Sequence, residues 1–390
     1  MMEEILLQFF VIIVLARLAG WLSERVGQPA VLGELLVGIA LGPSLLGFIH
    51  PGESETLAFL AEFGIIILLF QVGLESNIYK LLRVGPAATA VALAGIALPF
   101  SLAYAVMFSL GYRQMVSLFV GAALTATSIG VTMRIFTAAR QVDTTEGRLI
   151  LGAAVIDDIL ALIMLSVLTG LLELGRVSLV DTGKISGYAI LFLVGAIFIG
   201  IRFARGLIRL LDRLKIERSF AISAVVFATG LAYLAERVGL STIIGAFAAG
   251  LVLEQTEDKE HIEDRIKPIA DIVIPIFFVY AGALMDVRSV FDLKIALLML
   301  ALSGAAILGK VGAGYLLPRS RANRLVVGLG MIPRGEVVLV FAQFGLIQGV
   351  LPQMLYSTLI MVILLTTVLA PPLLRRALGR GLDPPQRDQL

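Results

Sequence analysis

Two carboxylates stand side by side, Asp157 and Asp158 in "AAVIDDILAL" (153 to 162), inside an apolar run from Leu149 to Leu172 that carries no other charge. At the centre of a bilayer each acidic residue costs about 2.5–3.5 kcal/mol on insertion scales, so such a pair persists only for a function or a partner. A cationic counterpart is present in "AAILGKVGAGYLL" (305 to 317), where Lys310 lies too deep in its run for the ammonium to snorkel to an interface. Adjacent residues on one helix diverge by about 100°, so one aspartate can face Lys310 while the other faces elsewhere. Which of the two takes the lysine is open at this level.

Two further stretches are polar where lipid-facing helix would be apolar. "ALTATSIGVT" (123 to 132) gathers Thr125, Thr127, Ser128, Gly130 and Thr132, and "GMIPRGEVV" (330 to 338) holds Pro333, Arg334, Gly335 and Glu336. Pro333 removes a backbone donor and Gly335 permits unusual angles, so both stretches read as interrupted helices whose freed carbonyls and amides can line an ion site. For the first stretch the competing reading is hydroxyls bonded back to their own helix. Arg334 and Glu336 read as structural, paired with one another or with Glu62 or Glu75. Glu34 suits either a funnel lining or a subunit contact.

The chemistry of this set is competition for one group. Burial disfavours the charged form of a carboxylate and of an ammonium alike. A deprotonated aspartate among hydroxyls and carbonyls is a hard oxygen site for a small monovalent cation, Na+ at Asp157 and Asp158, whereas the protonated aspartate is neutral. If the empty charged site cannot cross the membrane, cation and proton must exchange. The alternative is an ion network with a purely structural role.

These residues need elements to carry them, and the composition says in which solvent. The 390-residue chain is 58% hydrophobic and 15% charged, with a mean hydropathy of +0.97, too apolar for a soluble protein of this length. This predicts an all-α polytopic membrane protein. With no cysteine, disulfides, thiol catalysis and thiolate metal sites are excluded, and both histidines, His50 and His261, are expected in loops. No cofactor is called for. The acidic start "MMEEILL" predicts a retained first helix rather than a signal peptide.

A ruler of about 20 apolar residues marks about thirteen spans, at 5–22, 30–49, 57–75, 84–109, 115–138, 147–171, 187–204, 219–236, 240–254, 268–286, 293–317, 323–347 and 353–374. With the amino terminus outside, about 22 lysines and arginines fall in inner loops against about 6 in outer ones, which places the carboxyl terminus in the cytoplasm. The basic segment 202 to 218 then reads as a topology determinant rather than a nucleic-acid or lipid patch. A repeat is visible: "WLSERVGQPAVLGELLVGIAL" (21 to 41) and "YLAERVGLSTIIGAFAAGLVL" (233 to 253) share E-R-V-G and place Gly33 with Gly245 and Gly38 with Gly250. Seven spans separate the copies, so the second crosses upside down, an inverted six-plus-one-plus-six arrangement of the kind secondary transporters use. Small residues at helix contacts are the competing explanation.

Taken together, "GQPAVLGELLVGIALGPSLLG" (27 to 47), "ATSIGVT" (126 to 132), "ILGAAVIDDILAL" (150 to 162), "ILGKVGAGYL" (307 to 316) and "GMIPRGEV" (330 to 337) resemble the sodium/proton exchanger superfamily, specifically its bacterial two-aspartate, NapA-type branch. The resemblance implies an NhaA/NapA-like antiporter fold with two crossing discontinuous helices, in a homodimer in the bacterial inner membrane. Its domains would be scaffold helices 1–3 (1–83), core helices 4–6 (84–186), linker helix 7 (187–218), scaffold helices 8–10 (219–292), core helices 11–13 (293–376) and a cytoplasmic tail (377–390). It implies that Asp158 carries the ion or the proton, that Asp157 pairs with Lys310, that Thr127 and Ser128 neighbour the ion, and that Arg334, Glu336 and Pro333 are structural parts of the crossover. The core is expected to move elevator-fashion, with Lys310 supplying the second proton of an electrogenic exchange of Na+, or Li+, for H+. Glutathione-gated potassium efflux proteins typically have glutamine at the position of Asp157. Gln71 in "LLFQVGLE" (68 to 75) departs from the usual apolar residue, with Tyr280 as its expected partner. Three other readings compete: a K+/H+ antiporter of the same fold, a sodium-coupled organic solute symporter, and a channel or sensor. An enzyme is disfavoured because no nucleophile with a base, metal cluster or phosphate loop is evident.

Overall fold

The computed structural model describes residues 2–76, 85–142, 144–174, isolated positions between 183 and 202, 219–238, 240–256, 259–288, 292–317 and 322–379. Among these, fourteen α-helices and no strand occur. In chain order they are α1 (Met2–Arg25), α2 (Ala30–Leu41), α3 (Glu55–Glu75), α4 (Pro86–Ser109), α5 (Gln114–Ala123), α6 (Ile129–Ala138), α7 (Thr145–Leu174), α8 (Ser219–Arg237), α9 (Thr242–Glu254), α10 (Lys259–Ala283), α11 (Leu293–Tyr315), α12 (Arg324–Gly330), α13 (Glu336–Ile347) and α14 (Gln353–Leu378). Seven are long and apolar enough to cross a bilayer, and α2, α5, α9 and α13 are apolar but shorter. The protein is an integral membrane protein. The expected linker span 187–204, the basic segment 202–218 and most of the tail 377–390 lie largely outside the described residues.

The chain divides into two compact units. Unit 1 comprises Met1–Ala19, Gly33–Tyr79 and Leu162–Leu284. Its interior joins Ile67, Phe70 and Leu74 of α3 to Phe227 of α8, Val252 of α9 and Ile262 and Ile266 of α10. Two crossings bring backbones into contact. A Cβ on Gly38 of α2 would sit 2.1 Å from the Val279 carbonyl oxygen and 2.9 Å from Cα of Gly282 in α10. One on Gly250 of α9 would sit 2.1 Å from the Phe70 carbonyl oxygen and 2.8 Å from the Gly73 carbonyl carbon in α3. The two glycines aligned in the sequence repeat therefore do the same work, each admitting a second helix at backbone distance.

Unit 2 comprises Gly20–Leu32, Lys80–Ala161 and Met285–Leu390. Val91 of α4, Ile135 and Phe136 of α6, Ile150 and Ala153 of α7, Val326 of α12 and Leu374 of α14 form its core. Helices α4 and α11 touch where Gly309 meets Pro99. A Cβ on Gly309 would lie 2.5 Å from the Pro99 nitrogen, which has no hydrogen to lose.

Three local expectations change. The second span is helical only to Leu41, after which the chain turns through Gly47 at φ +60. Helix α10 begins at Lys259, so His261 sits in its first turn rather than in a loop; Ile262 and Ile266, four apart and fully buried, anchor an amphipathic extension that a hydropathy window discounts. Tyr280 does not serve Gln71: its hydroxyl donates to the Pro51 carbonyl at 3.0 Å, an acceptor left open by the loop before α3.

Candidate functional site

Both polar stretches are broken helices, and both lie in unit 2. Helix α5 stops at Ala123 and α6 starts at Ile129; α12 stops at Gly330 and α13 starts at Glu336. The breaks run alongside one another, since the Ser128 amide donates to the Pro333 carbonyl at 2.8 Å. Pro333 thus ends a ladder and supplies an acceptor at the same point. Gly335 adopts φ −153 and ψ −134, outside the regular helical and extended regions as expected, and a Cβ there would lie 2.7 Å from both Cβ and Oγ of Ser128. Close approach to Ser128 is thus a second reason for glycine here.

Helix α7 carries the aspartates past this crossing. Asp157 is fully buried, and its Oδ2 accepts from the Lys310 ammonium at 2.8 Å and from the Thr127 hydroxyl at 2.6 Å. The tertiary structure therefore decides which aspartate takes the lysine. Lys310 is itself fully buried on α11, and Gly95 of α4 makes room for it, a Cβ there coming within 3.3 Å of Nζ. The other oxygen of Asp157, Oδ1, is buried and has no hydrogen-bond partner. Asp158, the next residue on α7, is 8% exposed. One aspartate is thereby neutralised by a resident cation, and the pair still offers acceptor oxygen that no protein donor fills.

Carbonyls freed by the breaks are for the most part already used. Thr132 donates to the Gly330 carbonyl at 2.6 Å, and Thr127 has a second, longer contact of 3.3 Å to the Met331 carbonyl. Arg334, fully buried, donates from Nη1 to the Ala126 carbonyl at 2.6 Å, with further acceptors at 3.5 Å in the Thr125 and Ala306 carbonyls. Its own carbonyl accepts from Thr367 of α14. Built-in donors thus reach these carbonyls, each of which has a second lone pair. Of the polar stretch at 123 to 132 only Thr125 bonds back within its own turn, to the Ala122 carbonyl at 2.8 Å.

Nor do Arg334 and Glu336 pair. The guanidinium caps the end of α5, where the helix dipole is negative, and the Glu336 carboxylate accepts from Ser128 Oγ at 3.2 Å at the start of α13. Each charge meets the helix end of opposite polarity, so mutual pairing has nothing to add. Glu34 is buried on α2 in unit 1. Gly95 and Thr367 were missed by the sequence reading. Thr367 had a weak signal, a hydroxyl doublet with Thr366 in an apolar helix; Gly95 had none.

The chain matches the family model described as sodium/hydrogen exchanger, transmembrane, over residues 12–378. It is 38% identical to the high-affinity Na(+)/H(+) antiporter NhaS3 of Synechocystis, a match covering 95% of this chain and 89% of that protein. It is 35% identical to the Na(+)/H(+)-K(+) antiporter GerN of Bacillus cereus, covering 96% and 97%. Among solved structures, the sodium proton antiporter MjNhaP1 of Methanocaldococcus jannaschii superposes with a TM-score of 0.74 at 20% identity over 97% of this chain and 99% of that one, a likeness of fold. On the match across nearly its whole length, this chain belongs to the sodium/hydrogen exchanger family.

Proposed function

We propose that this protein exchanges sodium for protons across the bacterial cytoplasmic membrane, with Asp158 as the carboxylate that holds either ion. The carrying observation is the fully buried Lys310–Asp157 pair, tied by Thr127 to the crossing of two broken helices, beside a second aspartate. With Asp157 balanced by Lys310, Asp158 is neutral when protonated and neutral again when it binds Na+, whereas the bare carboxylate carries a charge whose burial is costly. Asp157 Oδ1 and the hydroxyls of Thr127 and Ser128 complete the oxygen set around such an ion. When sodium draws Asp157 toward itself, Lys310 loses its anion and releases a proton, which makes the exchange electrogenic.

The wider reading has thirteen spans in an inverted repeat, the amino terminus outside and the carboxyl terminus in the cytoplasm, in a homodimer among lipids. The like crossings at Gly38 and Gly250, and the like breaks after α5 and α12, support the repeat. The segments 1–83 and 219–292 serve as scaffold and the segments 84–186 and 293–376 as the moving core of an elevator, a division supported by the site residues all lying in the latter two. The two-aspartate branch is supported by the Asp157–Asp158 doublet. Lithium is expected to substitute for sodium. Potassium is the second reading, favoured by the similarity to GerN, whose name includes K(+).

The experiment is proton movement reported by a dye in proteoliposomes, with sodium, lithium and potassium compared and the membrane potential read in parallel. Sodium-evoked proton flux that disappears in Asp158→Ala is expected. No signal from the unaltered protein between pH 6 and 9, or full signal from Asp158→Ala, overturns the reading.

A further inference from the structure

Arg334 stands in the second break, fully buried, and its guanidinium meets only carbonyls and one hydroxyl. Among the described residues it forms no ion pair, and its Nε has no hydrogen-bond partner. Arginine stays protonated in proteins, so a whole positive charge is held inside the fold without a contacting anion. Glutamine would also donate to the Ala126 carbonyl and would bury no charge. The charge itself therefore needs a reason.

The neighbouring cluster supplies one. Thr127 Oγ1 lies 2.6 Å from Asp157 Oδ2 and 3.5 Å from Arg334 Nη1, which puts the guanidinium within about 6 Å of a carboxylate that already holds Lys310 at 2.8 Å. At that separation and away from water, charges interact strongly without contact, and Asp157 is the acid that acts on Arg334. The other charged groups at this crossing are Asp158, which acts on Lys310, and Glu336, which meets the positive end of α13 and accepts from Ser128. With both protons aboard, a positive Lys310, a negative Asp157 and a neutral Asp158 sum to zero. With sodium aboard and the protons gone from Asp158 and Lys310, the two aspartates and one Na+ leave a net negative charge. Adding Arg334 makes the sodium-loaded set neutral and the proton-loaded set positive.

We propose that Arg334 sets the balance between sodium and protons at this site, its fixed charge opposing the loading of two protons more than the loading of one sodium. It acts at a distance and touches neither ion. The inference rests on the antiport reading with Lys310 as the second proton donor. As Na+ enters, Asp158 and Lys310 each give up one proton, and the set becomes less positive by one charge. Loss of Arg334 therefore favours protons where they compete with sodium, and strengthens sodium binding where they do not.

Sodium-driven proton flux in proteoliposomes, measured against sodium concentration at several pH values, tests this. Arg334→Gln keeps a donor for the Ala126 carbonyl and removes the charge. Its KM for sodium is expected to rise about tenfold at acid pH and to fall at alkaline pH, with the flux profile at low sodium moved about one unit toward alkaline pH. Arg334→Lys restores the charge and keeps the KM profile of the unaltered protein, whatever its maximal rate. A loss of rate in Arg334→Gln with KM unchanged at every pH, or KM shifts shared equally by Arg334→Lys, overturns the proposal, since either marks a role in packing alone. An experimental map with sodium bound decides the matter even where Arg334→Gln fails to fold. A guanidinium in contact with Glu336, or with any carboxylate other than Asp157 and Asp158, is already neutralised and refutes it; one bonded only to carbonyls and hydroxyls supports it. Absence of sodium-driven flux in the unaltered protein overturns the antiport reading and this inference with it, whereas normal flux with an unmoved KM profile in Arg334→Gln overturns this inference alone.

Discussion

Asp157 receives two donors on one oxygen, and their removal has different consequences. Lys310→Met leaves a buried carboxylate without its cation and is expected to destabilise the protein by about 3–5 kcal/mol, read as thermal unfolding in detergent. Asp157→Leu added to it removes the orphan charge and recovers most of that loss; additive destabilisation in the double variant would show that the pair is not coupled. Thr127→Val preserves volume and deletes the 2.6 Å hydrogen bond to Asp157 together with the longer contacts to the Met331 carbonyl at 3.3 Å and from Arg334 Nη1 at 3.5 Å, at an expected cost of about 1.5–3 kcal/mol because the main acceptor is charged. Lys310→Gln, whose amide can still donate to Asp157, tests transport. Charge moved per turnover should fall toward zero in a potential-sensitive assay, and unchanged charge movement rules out the lysine as a proton donor. The doublet and Lys310 were visible in the sequence because charge is costly in an apolar run. Their pairing was not, since 153 residues separate Lys310 from Asp157 and nothing local selects one aspartate over its neighbour.

Helices in both units meet at glycines, and these contacts are not equivalent. On α11, Gly309 faces the Pro99 backbone at distances no side chain can occupy, whereas a Cβ on Gly304 meets nothing within 4 Å. Gly309→Ala should force α4 and α11 apart at a cost of about 1–3 kcal/mol, with displacement of Lys310 one residue away. Gly304→Ala should be neutral or stabilising by up to about 1 kcal/mol, because alanine restricts the unfolded chain and favours helix. Equal melting of the two variants would contradict the packing described. The breaks belong to the same scale. Pro333 announced the second, and the hydroxyl-rich stretch marked the first. That their carbonyls accept from Arg334, Thr132 and Thr367 depends on how the two breaks pass each other.

At the scale of the whole molecule, the division into two units yields a prediction about motion. The chain has no cysteine, so introduced pairs report cleanly. Arg17 and Asp271 form an ion pair within unit 1 at 3.0 Å. Cysteines at those two positions, joined by a short bismaleimide, should leave sodium-driven proton flux near the level of the unjoined protein, since an elevator needs no motion within a unit. A block of flux by that cross-link would refute rigid-unit movement.

What the sequence determined by itself was whatever has a local or additive cause. The bilayer as solvent follows from summed hydropathy, the buried charges from their local penalty, and the helix breaks from proline and clustered hydroxyls. What only the tertiary structure decided were the partners: Lys310 with Asp157, Arg334 with the carbonyls of Thr125 and Ala126, Tyr280 with Pro51, Gly335 against Ser128. A hydrogen bond or a backbone contact depends on distances of a few ångströms between segments far apart in the chain, and those distances exist only once the helices have packed.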